Sequence, residues 1–187
     1  MTYNKVTISG RICTGKTTLF WILQKKLGWP TFSASQYFRD YSRSTGVSLQ
    51  KAEEQNPNLT KEVDLRMKKL LLEEEHILLE GWMAGIMADQ MPDVLRILLT
   101  CEDTQRIKRF AKREKVSEEE AKANIEERER NLFTKLEEIY HRSDFVHPKN
   151  YNLVIDTTHK SLEETLGVVL KALKDYSANG QKPQRTP

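Results

Sequence analysis

The sequence predicts an α/β protein, with a parallel five-stranded sheet between helical layers. Three observations carry this. Short apolar runs alternate along the chain with amphipathic or charged helical stretches, and such alternation builds a parallel sheet with crossover helices. Two of the runs, HILLEG and VLRILLTC, are apolar almost throughout, as strands covered on both faces are. The first run ends in GRICTGKT, Gly10 to Thr17, a glycine-framed loop that opens a helix.

Each element has its own signal. KVTISG alternates Val6 and Ile8 with polar residues and reads as the first strand. KTTLFWILQKKLG reads as a helix with Leu19, Ile22, Leu23 and Leu27 on one face and Gly28 as its stop. PTFSAS is a short second strand. Helical stretches follow at Ser35–Ser44, Ser48–Gln55 and Thr60–Glu73, with Asn56-Pro57 breaking the last two apart. HILLEG and VLRILLTC are the third and fourth strands. DTQRIKRFAKRE and SEEEAKANIEERERNLFTKLEEIY are charged helices, and Ser117 with Glu120 forms a capping box at the start of the second. YNLVIDT is the last strand. SLEETLGVVLKALKDY is the last helix, opened by a second box, Ser161 with Glu164. Trp21 and Trp29 are expected in core or half-buried packing. Residues 177–187 hold no core-forming side chains and are expected to be disordered, which leaves one domain over residues 1–176.

Composition narrows the function classes. A chain of 187 residues suits one domain with a real core. Thirty basic against 27 acidic residues, a net charge of +3, is too balanced to argue for nucleic acid. The apolar runs are too short to span a bilayer, and MTYNKVTISG lacks the layout of a secretory signal. A cytoplasmic protein with neither nucleic acid nor membrane as partner is expected. Two cysteines, Cys13 and Cys101, make no disulfide framework. The four histidines show no metal-ligand spacing.

The spacing of GRICTGKT is G-x-x-x-x-G-K-T, the phosphate-binding loop. Its backbone N–H groups point inward, and the helix behind adds a partial positive charge. Lys16 reaches the β- and γ-phosphates, and Thr17 places its hydroxyl on Mg²⁺. Gly10 permits the sharp exit from the strand, and Gly15 lets the backbone approach phosphate. Arg11, Ile12, Cys13, Thr14 and Thr18 complete the segment expected to bind ATP and Mg²⁺. Cys13 faces a helix N-terminus, which tends to lower a thiol pKa. It is either a redox switch on ATP binding or a small filler of the loop. Gly10, Glu80 and Thr157 all fall at carboxyl ends of strands, where open α/β sheets bind ligands. Glu80 either holds a Mg²⁺-bound water or caps the next turn.

From about Lys5 to Leu173 the chain resembles the cytidylate kinase-like family, in particular the archaeal-type CMP kinases among the P-loop nucleoside monophosphate kinases. The segments that carry the resemblance are ISGRICTGKTT, FSASQYFRDYSRSTGVSLQKAEEQNPNLTKEVDLRM, ILLEGWMAG, RFAKRE and YNLVIDT, in the family's order. It implies a three-layer α/β/α fold with an acceptor-binding insert over about 33–72 and a lid over about 109–135. It implies that Ser33 and Arg39 hold the acceptor, with Arg39 on its monophosphate. Asp64, Arg66, Gly81 and Trp82 are further candidates. Arg109, Arg113 and Arg128 become lid arginines that act with Lys16 on the transferring phosphoryl, and adenine lies near the lid start and Thr157–Lys160. The physics agrees, since phosphoryl transfer needs positioning and positive charge more than covalent help, and guanidinium forks suit phosphate.

Two departures bear on the acceptor. Trp82 stands where the family often places an arginine, and losing such a contact costs roughly 10- to 100-fold in acceptor binding. Lys135 stands where relatives commonly place a lid arginine. The expectation is a monomeric ATP-dependent kinase for CMP or dCMP. The alternatives are a P-loop kinase for UMP, AMP or a non-nucleotide acceptor, and a non-catalytic ATP-binding regulatory protein.

Overall fold

The structure, a computed structural model, describes residues 3–47 and 57–179. Its strands are β1 (Lys5–Gly10), β2 (Thr31–Ser33), β3 (Ile77–Glu80), β4 (Val94–Thr100) and β5 (Leu153–Asp156). Its helices are α1 (Lys16–Leu27), α2 (Ala34–Thr45), α3 (Pro57–Glu73), the short α4 (Ala84–Met87), α5 (Asp103–Glu114), α6 (Glu118–Tyr140) and α7 (Leu162–Asn179), with a 3₁₀ turn at Pro148–Asn150. All strand pairs are parallel, and the five strands lie in the order β2-β3-β1-β4-β5.

Alternation along the strands separates two cores. Val6 and Ile8 of β1 and Leu78 of β3 face α1 and α7, meeting Leu19, Phe20, Leu23 and Val169. Ile77 and Leu79 point the other way, against Phe38, Val63, Met67, Leu132 and Leu136 of α2, α3 and α6. The result is the expected three-layer α/β/α arrangement. A third, smaller cluster joins Ile12 of the glycine-framed loop to Phe110 of α5 and to Ala121 and Ile125 of α6.

Local signals settle the element ends. Both capping boxes form: Ser117 and Glu120 exchange backbone-to-side-chain bonds of 3.0 and 3.1 Å, Ser161 and Glu164 bonds of 2.7 and 3.1 Å. Gly28 closes α1 in the left-handed region at φ 66°. Pro57 opens α3, where a missing N–H costs nothing.

Some expectations need correction. Helix α7 runs through Asn179, and the residues of the expected disordered tail beyond 179 lie outside the described part. The helix expected over Ser48–Gln55 also lies outside it. Trp21 is 40% exposed, standing edge-on to the fully buried Phe20, because the buried face of α1 runs through Leu19, Phe20 and Leu23 rather than through Ile22. Trp29 is half-buried and stacks on the His76 ring at 5.0 Å. All four histidines are exposed. Among the described residues no helix is long and apolar enough to cross a membrane.

Candidate active site

Strand register brings the site together. Ile8 of β1 pairs with Glu80 of β3, and Glu80 pairs with Ser33 of β2, so three strands end at one rim. Gly10 leaves β1 at φ 150°, and a Cβ there would stand 2.5 Å from the Leu99 carbonyl oxygen and 2.8 Å from the Thr14 hydroxyl. Only glycine fits so close an approach. Cys13 adopts φ 61° and Gly15 φ 94°, so the loop makes its turn with one non-glycine residue in the left-handed region. The Thr14 hydroxyl, 2.9 Å away, and the Lys16 ammonium, 2.8 Å away, both donate to the Arg11 carbonyl.

A cleft of about 570 Å³ opens above this loop, lined by Cys13, Gly15, Lys16, Thr17, Thr18, Arg39, Trp82, Arg109, Arg113 and Arg128 among others. Four arginines from α2, α5 and α6 thus meet the loop lysine. Lys16 is buried, which pushes its pKa down, while Glu80 nearby pulls it up. Its ammonium stands 5.3 Å from the Trp82 ring centroid. Trp82 stands edge-on to Phe133 at 5.2 Å. The turn that carries Trp82 is pinned to β1 by the Ser9 hydroxyl, which donates to the Gly81 carbonyl and accepts from the Gly85 N–H, both at 3.0 Å.

The expected residues divide by placement. Arg39 lines the cleft with no partner among the described residues. Arg113 lines it while pairing with Glu114 at 2.7 Å and lying over Phe110 at 5.2 Å. Arg109 is tied down: it donates to the Cys13 carbonyl at 3.3 Å and to the Thr157 carbonyl at 2.6 Å. The Thr157 hydroxyl lies 2.9 Å from the Thr14 carbonyl. Arg109, Thr157, Lys160 and Thr18 also share a neighbouring cavity of about 190 Å³. Ser33 is not open to a ligand: its hydroxyl caps α2 through the Gln36 N–H at 3.1 Å and donates to Glu80 at 2.6 Å. Glu80 is fully buried and takes a second bond from Ser35 at 2.9 Å. Arg66 is not brought to the cleft; it is exposed, with its guanidinium 4.8 Å over the Phe32 ring. Burial raises the Cys13 thiol pKa against the pull of Arg113 and Lys16, opposite to the helix-terminus expectation, and favours the filler reading.

For a metal, Thr17 supplies a hydroxyl at the cleft and Glu80 a carboxylate behind it. An all-oxygen donor set suits a hard cation. Among the described residues no group of three or more histidines, cysteines or acids could hold a metal ion.

Beside the cleft lies a narrow apolar cavity, walled by Ala34, Phe38, Gly81, Trp82, Met83, Leu132 and Leu136. Two polar groups enter it from one face of α3. The Thr60 hydroxyl is buried with no hydrogen-bond partner among the described residues, and one turn on, Asp64 accepts from the Tyr140 hydroxyl at 2.8 Å. Burial pushes the Asp64 carboxyl up to about 7, against the lowering effect of that bond.

Sequence reasoning missed the residues that dock α5 and α6 onto the phosphate loop. Glu129 of α6 and Arg106 of α5 are 3% and 1% exposed. One Glu129 oxygen accepts from the Ile12 N–H at 3.0 Å and from Arg106; the other accepts from Arg11 Nε at 2.8 Å. Arg106 Nε donates to the Ile12 carbonyl at 2.7 Å. The signal for Glu129 is present in the sequence: it stands in the apolar stripe Ala121, Ile125, Leu132, Leu136, where an unpaired acid is costly.

A phosphate loop under converging arginines, at the carboxyl edge of a parallel sheet, defines a P-loop kinase, a phosphotransferase. The chain belongs to the cytidylate kinase-like family: the model of the family described as "Cytidylate kinase-like family" matches residues 57–159. A cytidylate kinase of Methanopyrus kandleri is 33% identical over 90% of this chain and 92% of its own, and one of Thermococcus kodakarensis is 32% identical over 94% and 90%. In fold, a gluconokinase from Sinorhizobium meliloti 1021 matches with a TM-score of 0.60 at 9% identity, covering 97% of this chain and 100% of its own. Shikimate kinase from Aquifex aeolicus matches at 0.56 and 16%, covering 95% and 99%.

Proposed function

We propose that this kinase moves the γ-phosphoryl group of ATP to a nucleoside monophosphate, with CMP and dCMP as the leading acceptors. The observation that carries the reading is the pair of adjoining cavities, a cationic cleft on the phosphate loop and an apolar pocket with two buried polar groups. In the cleft the loop N–H groups and Lys16 hold the donor phosphates, Thr17 contacts Mg²⁺ and Glu80 reaches it through water. Arg39 takes the acceptor phosphate, while Arg113 and Arg128 neutralise charge on the transferring group. The acceptor phosphate is already anionic, so no dedicated base is needed. Adenine lies against Arg109 and Thr157–Lys160.

The apolar pocket takes the flat face of the acceptor base against Phe38 and Trp82. Thr60 and ionised Asp64 meet its polar edge. A carboxylate accepts from the exocyclic amine of cytosine and repels the carbonyl that uracil carries there, so the pocket favours cytosine. Ser33 acts on the acceptor side by orienting Glu80 and starting α2, which carries Arg39. The insert and lid boundaries, about 33–72 and 109–135, and a monomeric state belong to the same reading.

The experiment is ATP-to-ADP turnover with Mg²⁺ against CMP, dCMP, UMP, AMP and GMP, with Lys16→Ala as blank. Fast Lys16-dependent turnover with CMP or dCMP supports the reading. Turnover greatest with another acceptor replaces the base assignment. ATP binding with no acceleration by any monophosphate rejects a nucleotide acceptor.

A further inference from the structure

The structure gives the two unusual fillers of the phosphate loop, Arg11 and Ile12, a common partner. The Ile12 side chain is buried among Phe110, Ala121 and Ile125 of the lid helices. Both polar atoms of its backbone are held by the same pair: the N–H by Glu129 at 3.0 Å and the carbonyl by Arg106 at 2.7 Å. Arg11 lies across the other Glu129 oxygen, and its guanidinium is also 3.6 Å from Asp103. The Arg11 carbonyl in turn receives Lys16 at 2.8 Å and Thr14 at 2.9 Å. A continuous chain of polar contacts therefore runs from a lid-helix acid to the lysine expected on the donor phosphates. On α6 the neighbour of Glu129 is Arg128, which lines the cleft.

We propose that Glu129 is a positioning residue: with Arg106 it locks the Arg11–Ile12 segment to α5 and α6, so that the phosphate loop, Lys16 and Arg128 form one preassembled unit before nucleotide arrives. The proposal rests on the nucleotide reading of the cleft for its catalytic consequence, but not for the lock itself. It accounts for an acid that would otherwise be buried at high cost in an apolar stripe. Its four acceptor contacts satisfy both oxygens, as a buried carboxylate requires.

The test is Glu129→Gln in the full chain, which keeps shape and removes the charge that holds the two arginines. Hydrogen exchange is followed without and with ATP, and kinetics in parallel. The expected result is exchange accelerated at least 10-fold in residues 103–128 and in the loop of the ATP-free variant, with β1 and β4 unchanged. ATP should restore much of the protection. Turnover should fall about 10- to 100-fold through kcat, while the KM of the acceptor moves less than threefold. Wild-type exchange and kinetics in the variant would overturn the proposal. Exchange raised equally in the sheet would mark Glu129 as merely structural and overturn it too. Should the variant not fold, Arg11→Ala, at a half-exposed side chain, removes one arm of the lock. It should shift the same residues in the same direction by a smaller factor, and no shift there would also overturn the proposal. These outcomes are read in ATP-free protein, so they stand apart from any failure to find the acceptor.

Discussion

The two halves of the cleft are built differently. On the phosphate side, charged side chains are tied down: Glu129 meets Arg11 and Arg106, and Arg109 bridges the Cys13 and Thr157 carbonyls. On the acceptor side, Arg39 has no partner among the described residues, the Thr60 hydroxyl is buried without one, and Asp64 has the Tyr140 hydroxyl alone at 2.8 Å. The Glu129 carboxylate is fully engaged without ligand; across the cleft the buried Thr60 hydroxyl has no partner among the described residues, and a ligand would satisfy it. An unpaired buried polar group costs about 1–3 kcal/mol, and a site that keeps such groups gains that much when the matching molecule arrives. Under the proposed function, preassembly would serve the donor, whose phosphates are common to every turnover, and unmet hydrogen bonds would serve selection of the acceptor.

The largest effect expected from breaking this division is on the donor side. Lys16→Ala removes the ammonium that neutralises the transferring phosphoryl and should lower kcat by about 10³-fold, measured as ADP release at saturating substrates. A loss confined to the KM for ATP would show that Lys16 binds ground state and transition state alike. Next comes Arg39→Ala on the acceptor side. Charge-assisted bonds contribute about 1.5–3 kcal/mol each, so acceptor KM should rise roughly 10- to 100-fold with the KM for ATP nearly unchanged. An equal rise in both would place Arg39 on the donor.

The sequence makes the satisfied backbone of the site legible and hides the side chains that satisfy it. The loop, the strand ends at Gly10, Glu80 and Thr157, and both capping boxes depend on local patterns, and they appear where those patterns place them. Glu129 was obscured by its neighbours. Glu126 and Glu127 are exposed, and in a run of acids one buried member is visible only against the period of Ala121, Ile125, Leu132 and Leu136. Arg106 was hidden the same way beside Arg109. Arg66 shows the opposite case: it lies two residues beyond Asp64, a spacing that puts it on another face of α3, and it rests on Phe32. Ser33 lies at the rim bonded to Glu80, a contact the sequence hides because the strand pairing that sets the two side by side is long-range.

A smaller effect sharpens the acceptor side through pH. Asp64 is raised to about 7 by burial, so the folded state holds this proton more tightly than the unfolded chain does. Its contribution to stability is present below the ordinary carboxylate pKa near 4 and is lost as pH rises through about 7. Asp64→Asn should remove that slope, leaving melting temperature little changed near pH 4 and raising it increasingly from pH 5 to pH 8. The ionised form accepts from an amine, and the protonated form donates to a carbonyl. The ratio of kcat/KM for CMP over UMP should therefore rise several-fold between pH 6 and pH 8 in the wild type and stay flat in Asp64→Asn. A flat wild-type ratio would remove Asp64 from base selection.

The smallest effect is expected at Trp82, which belongs to both halves, lining the cleft and the apolar pocket at once. Its ring lies 5.3 Å from the Lys16 ammonium and edge-on to Phe133, so the indole is in contact with the phosphate-loop lysine. A cation over an aromatic ring gains about 0.5–1 kcal/mol where water reaches it and more where it does not, and Trp exceeds Phe. Trp82→Phe keeps the apolar wall and weakens that contact, so kcat should fall two- to fivefold, and acceptor KM should rise by a similar factor as the wall recedes. The division between the halves predicts the split: change in kcat reports the lysine, change in KM reports the pocket. If Trp82→Arg instead lowers the KM for CMP, the indole is an obstruction where an acceptor contact belongs. If it raises the KM, the ring is part of the base pocket, since a second cation beside Lys16 would otherwise attract the acceptor phosphate.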